Sequence, residues 1–131
     1  MTGDRTEHRI ATLCAPLGHY SDAVSYNGIL YLSGIAPIDL SGNLVGPDDV
    51  SLQAEQVFSN IGAVLKNFGV GFDSLLKITI FLTVVNDRKA VNEVRRRMFG
   101  TARPASTLIG IADLGLPNMK IEVEAIAALA R

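Results

Sequence analysis

The spacing of apolar and polar positions changes several times along this chain, and each change marks an element. The first clear signal is Ala23-Val24-Ser25-Tyr26-Asn27-Gly28-Ile29-Leu30-Tyr31-Leu32-Ser33. Asn27 and Gly28 both tolerate positive φ at low cost, which predicts a two-residue type I′ turn between two strands. In that register Tyr26 faces Ile29 and Val24 faces Tyr31 on one side, while Ala23, Leu30 and Leu32 lie on the other. Both faces are apolar. Pro37 closes the second strand, Ser41-Gly42 reads as a turn, and Gly46-Pro47-Asp48-Asp49 as a loop. Over residues 50–68 the period becomes helical, with Ala54, Val57, Phe58, Ile61, Val64, Leu65 and Phe68 on one face. Asp49 or Ser51 is placed to cap this helix, and Gly69 to stop it. Residues 77–85 are β-branched and alternating, hence a strand. Asp87 is predicted to cap a second helix that turns Val91, Val94 and Met98 inward and stops at Gly100. Strands follow over residues 105–111 and 120–128, joined by a loop at Gly115-Leu116-Pro117-Asn118.

The order is hairpin, helix, strand, helix, strand, strand, which predicts an α+β or α/β sandwich: a sheet with helices on one face. No repeat, low-complexity stretch or linker interrupts it, so residues 1–131 read as one domain. Two helices can cover only one face of such a sheet. The hairpin is apolar on both sides, however, and Phe81 lies opposite Ile80 and Leu82. A second cover is missing, and another subunit is expected to supply it.

Composition narrows the classes further. The chain has 131 residues, 48% hydrophobic and 19% charged, with a mean hydropathy of +0.28. That excludes intrinsic disorder and leaves enough apolar material for a core. No apolar run approaches the roughly 20 residues of a membrane span. The opening MTGDRTEHRI lacks a signal-peptide centre, so a cytoplasmic location is expected. A net charge of −1 and a pI near 6.1 give no electrostatic case for nucleic acid. Cys14 is the only cysteine, which excludes an internal disulfide. His8 and His19 have no acidic or cysteine partner at metal-ligand spacing, and no metal site is expected.

The chemistry-bearing segment is Lys120-Ile121-Glu122-Val123-Glu124-Ala125-Ile126. Alternation puts Ile121, Val123 and Ala125 on one face and Lys120, Glu122 and Glu124 on the other. Carboxylates in mid-strand need water or a partner, so this is either a solvated face or a pocket wall carrying a base. Arg95-Arg96-Arg97 spreads around the second helix and reads as a solvated face. Gly69-Val70-Gly71 lacks the third glycine and the setting of a dinucleotide loop.

Taken together, the segments resemble the RidA/YjgF family, also labelled the L-PSP endoribonuclease family. The pieces are Gly18-His19-Tyr20-Ser21-Asp22-Ala23, Tyr31-Leu32-Ser33-Gly34, Asn60-Ile61 with Leu65, and Lys77-Ile78-Thr79-Ile80-Phe81-Leu82. Asn86-Asp87, Arg103-Pro104-Ala105-Ser106 and Lys120-Ile121-Glu122-Val123-Glu124-Ala125-Ile126-Ala127 complete the series. The resemblance implies a chorismate-mutase-like α+β fold and a homotrimer whose sheets form a central barrel, with small-molecule clefts between subunits. It implies hydrolysis of reactive enamines or imines to ammonia and a carbonyl product, with no metal or organic cofactor. By the same resemblance Tyr20, Ser33, Gly34 and Asn86 line the cleft, and Glu122 positions the attacking water.

One position departs from the pattern. Imine-hydrolysing members carry an arginine directly after the Pro-Ala pair, where it clamps the substrate carboxylate. Ser106 stands there, and Leu108 stands where many members have cysteine. A serine hydroxyl cannot supply the paired charge-assisted bonds of a guanidinium. Arg103, three positions earlier, is expected to point to the other side of the strand. Three readings follow: a deaminase for an altered substrate such as an aminomuconate-type enamine, a trimeric small-molecule-binding protein without turnover, or a ribonuclease or translation inhibitor. The acidic pI and the lack of an aromatic–basic strip count against the last.

Overall fold

The computed structural model describes residues 4–129. Six strands form one sheet: β1 (Thr6–His8), β2 (Ala23–Tyr26), β3 (Ile29–Ile35), β4 (Leu75–Leu82), β5 (Ala105–Gly110) and β6 (Ile121–Ala128). Their spatial order is β1-β2-β3-β6-β4-β5, antiparallel throughout except for the parallel pair β4–β5. That parallel pair needs a crossover, and helix α2 (Arg88–Phe99) makes it; helix α1 (Val50–Asn67) carries the chain from β3 to β4. Of the two architectures the periodicity left open, the α+β one, which the resemblance implied, is the one observed: a mostly antiparallel sheet.

The hairpin register is as predicted. Asn27 and Gly28 have φ of 52° and 76°, and Val24 pairs with Tyr31 and Tyr26 with Ile29. β1 is an element the periodicity did not reveal, because three mostly polar residues carry no alternation. It adds to the sheet edge by pairing Thr6 with Ser25 and His8 with Ala23.

The buried face of the sheet meets the apolar stripe of α1. Leu30 and Leu32 of β3, Ile78 and Ile80 of β4 and Ile121 and Val123 of β6 pack with Val57, Phe58, Ile61 and Val64. Asp49 caps α1, its carboxylate accepting from the Leu52 amide at 3.1 Å. Asp87, by contrast, makes no side-chain cap. The chain passes through a 3₁₀ turn at Val85–Asp87 and enters α2 with Asp87 already in helical geometry, so its carboxylate is not aimed back at the first amides. Met98 packs partly buried against the core as expected, and Phe99 is buried beside it, edge-on to Phe58 and stacked on Phe72.

Two buried amides lie two turns apart on α1. The Gln53 side chain donates to the carbonyls of Gly46 (3.0 Å) and Asn118 (2.9 Å) and accepts from the Lys120 amide (2.7 Å). It thereby ties the start of α1 to the segment entering β6. Asn60 donates to the carbonyls of Ala36 (3.2 Å) and Ile38 (2.9 Å) and accepts from Gln56 at 2.8 Å, fixing the chain as it leaves β3. Replacing Gln53 by Ala leaves three part-buried backbone groups without their partner. Unfolding in urea is expected to show a loss of about 2–3 kcal/mol with an unchanged m value.

Candidate active site

The sheet face turned away from the helices carries Glu122 and Glu124. Along β6, Ile121, Val123, Ala125 and Ala127 are buried, and Glu122, Glu124 and Ile126 face the other way. Tyr26 and Tyr31 of the hairpin are about half exposed on this same face. Among the described residues nothing covers it, as the two-sided apolar pattern predicted.

Glu122 is set by β6 and its neighbours. It pairs with Phe81 of β4. On the other side, β3 and β6 lose register between Leu32 and Ile35, so three steps of β3 span two of β6. This irregularity brings Gly34 against the Glu122 side chain. A Cβ on Gly34 would stand 2.0 Å from the Glu122 carboxylate oxygen Oε2. Only glycine leaves room for the carboxylate there. Glu122 is half-buried, and among the described residues it makes no hydrogen bond or ion pair. Burial, and then the like charge of Glu124, push its carboxyl above the ordinary value of 4.5.

Beyond Gly34 the chain folds into a pocket. Its walls include Leu13, Cys14, Tyr20, Ser33, Gly34 and Asn60. Tyr20 is half exposed, and its hydroxyl oxygen accepts from the Leu17 amide at 3.3 Å. The Ser33 hydroxyl donates to the Ser21 carbonyl at 2.7 Å, which leaves its oxygen lone pairs for a ligand. Asp22, buried at 5% exposure, accepts from the Ile10 amide at 2.7 Å and from the Arg9 guanidinium at 2.8 Å. Arg9 also donates to the Leu13 carbonyl at 2.9 Å, and so folds the N-terminal segment over the pocket. Cys14 borders this pocket, with burial pushing its thiol upward in pKa.

The structure thus brings Tyr20, Ser33 and Gly34 together and sets Glu122 against Gly34. It does not bring Asn86, Ser106 or Leu108 to them. Asn86 is exposed in the 3₁₀ turn before α2. Ser106 and Leu108 pair with Ile78 and Ile80, so their side chains share the helix-facing side of the sheet, opposite to Glu122. Leu108 packs on the core, and Ser106 is exposed. Arg103 lies before β5 begins, in the turn after α2, so strand alternation does not govern where it points. Among the described residues no three His, Cys, Asp or Glu side chains cluster as metal ligands, and no helix is long and apolar enough to cross a membrane. Sequence reasoning missed Arg9, Asp22 and Asn60. The one available signal was a pair of amides, Gln53 and Asn60, seven apart at the margin of an apolar helix face.

Comparison with known proteins gives a consistent family. The family described as Endoribonuclease L-PSP matches residues 10–129. A Lactococcus lactis protein named as a candidate regulator, AldR, is 42% identical over 122 residues, covering 90% of this chain and 94% of its own length. A 2-iminobutanoate/2-iminopropanoate deaminase of Capra hircus is 36% identical over 120 residues, covering 90% and 87%. Among solved structures, a Rid-family protein of unknown function from Yersinia pestis, YyfA, superposes with a TM-score of 0.89 at 35% identity, covering 96% of this chain and all of its own.

The raised Glu122 carboxyl makes a prediction about stability. Its folded pKa lies above that of the unfolded chain, so its contribution is full below about 4.5 and is lost as pH rises through the folded value. Glu122→Gln removes that dependence. The variant is expected to gain stability relative to the parent as pH rises from 4.5 towards neutrality, read from urea midpoints across that range. A constant difference would place the carboxylate in an ordinary solvated environment.

Proposed function

Because the chain belongs to the endoribonuclease L-PSP family, the RidA/YjgF proteins, we propose that it is a cofactor-free deaminase of small reactive enamines or imines. The observation that carries this reading is the unpartnered Glu122 carboxylate held against Gly34 beside a pocket. An imine carbon is already electrophilic, so the protein has to orient a water and move protons. In the proposed reaction Glu122 takes a proton from water as its oxygen adds to the C=N carbon. Glu122 passes that proton to the nitrogen, giving a carbinolamine. The hydroxyl proton then moves through Glu122 to the nitrogen, which leaves as ammonia as the C=O bond forms, and Glu122 is again ionised. An enamine enters the same sequence after protonation on carbon. A carboxylate with a raised pKa is a stronger base than an ordinary glutamate, and it accepts the proton in its ionised form.

The reading includes a homotrimer. The uncovered face carries Tyr26, Tyr31 and Ile126, and covering it with another copy would remove this apolar surface from water. With serine in the clamp position, the substrate is one held by other groups, such as an aminomuconate-type enamine, with Tyr20 and the Ser33 hydroxyl as the nearest candidates.

The test is ammonia release from a panel of enamines and imines, with and without a carboxylate. Glu122→Gln keeps the shape and removes the base, and turnover is expected to fall about 10²–10⁴-fold. Light scattering is expected to give the mass of three chains for parent and variant alike. Parent-level turnover in the variant would assign the base elsewhere.

A second reading is a trimeric binding protein without turnover. It is favoured by Ser106 in the place of the clamping arginine and by the similarity to the candidate regulator AldR. Saturable ligand binding with no ammonia from any substrate would select it.

Gly34→Ala separates geometry from chemistry. The added methyl displaces the Glu122 carboxylate, which is the mobile partner. Turnover is expected to fall at least ten-fold while the urea midpoint moves little, since the displaced group is the end of a flexible side chain. Unaltered turnover would mean that the carboxylate does not act from this position.

A further inference from the structure

On the helix side of the molecule, far from the Glu122 face, the end of α2 and the turn into β5 form a second cleft. It encloses about 780 Å³, solvent mouth included, and is lined by Asn92, Arg95, Arg96, Phe99, Arg103 and Pro104 among others. Three of these are arginines in a chain whose net charge is −1.

The three are not equally occupied. Arg96 is exposed and pairs with Glu93 one helical turn back, at 2.8 Å. Arg97, next in sequence, points elsewhere and pairs with Glu55 at 3.0 Å. Arg95 and Arg103 have no carboxylate partner among the described residues. Arg95 is partly buried over the Phe99 ring, with its guanidinium carbon 5.9 Å from the ring centroid. Among the described residues its sole hydrogen bond is a long one, to Asn92 Oδ1 at 3.5 Å. Burial lowers its pKa. Phe99 is itself fixed by Phe72 and Phe58, so the floor beneath Arg95 is rigid. A solvated arginine face, the reading from sequence, accounts for Arg96 and Arg97 but not for Arg95.

We propose that this cleft is a binding site for a small dianion with a compact apolar body, a phosphate monoester or a dicarboxylate. Arg95 and Arg103 supply the paired guanidinium donors such groups take. The ring edge of Phe99 with Ala102 and Pro104 supplies the apolar wall. The site stands apart from the proposed deaminase centre, because α2 and Glu122 lie on opposite sides of the sheet. Its ligand is therefore a second molecule, bound whether or not turnover occurs.

Calorimetric titration of the full chain with inorganic phosphate, and separately with succinate, tests the proposal and ranks the two anion sources. One saturable site per chain is expected for at least one of them at millimolar concentration or below. Arg95→Gln and Arg103→Gln are each expected to weaken binding about ten- to a hundred-fold. Arg97→Gln, which removes the same charge from outside the cleft, is expected to leave it within about two-fold. Absence of saturation by either probe overturns the site. So does an equal loss on Arg97→Gln, which would reduce the effect to general surface charge. A cleft filled by another copy's carboxylate would also bind neither probe and would contradict the proposal.

Discussion

The half-and-half character of β6 constrains most of this molecule. The strand sits between β3 and β4 in mid-sheet, so every second residue must be apolar to hold α1. The intervening residues include two glutamates that no helix of the same chain covers. A central strand cannot slip by one residue without moving its whole apolar set to the other face, and this fixes the register of both neighbours. The position of Glu122 is therefore tied to the core. Wherever Val123 packs, Glu122 points the opposite way.

The second constraint comes from β3. The register shift between Leu32 and Ile35 brings a residue without a side chain to the place that Glu122 needs. Asn60 then holds the outgoing chain through the Ala36 and Ile38 carbonyls, and Asp22 with Arg9 anchors the opposite wall. Each of these contacts is modest alone. Together they hold the walls of the pocket that Gly34 borders, next to the Glu122 carboxylate.

The sequence was legible where periodicity was strong. The hairpin register, the buried stripe of α1 and the alternation of β6 followed from spacing alone. Three features did not. β1 is too short and polar to show a period. Asp87 looks like a cap, but a 3₁₀ turn ahead of α2 already satisfies the helix entrance. The side-chain direction of Ser106 and Leu108 depends on the parallel pairing of β5 with β4, a long-range fact that no local pattern contains. The uncovered face was legible as a surplus of apolar residues over the two helices available to bury them. The pocket walls contributed by Asp22 and Asn60 were not, because each bonds a backbone group distant in sequence, and Arg9 reaches the pocket through the Asp22 carboxylate.

The account depends on Glu122 being a desolvated, unpaired carboxylate with a raised affinity for protons. A carbon-13 titration of the glutamate side-chain carboxyls reads this directly. The midpoint for Glu122 is predicted above 4.5, and Glu124→Gln is predicted to bring it downward by removing the like charge, leaving the part due to burial. A midpoint at or below 4.5, unmoved by Glu124→Gln, would contradict the account, since such a carboxylate would be solvated or already paired.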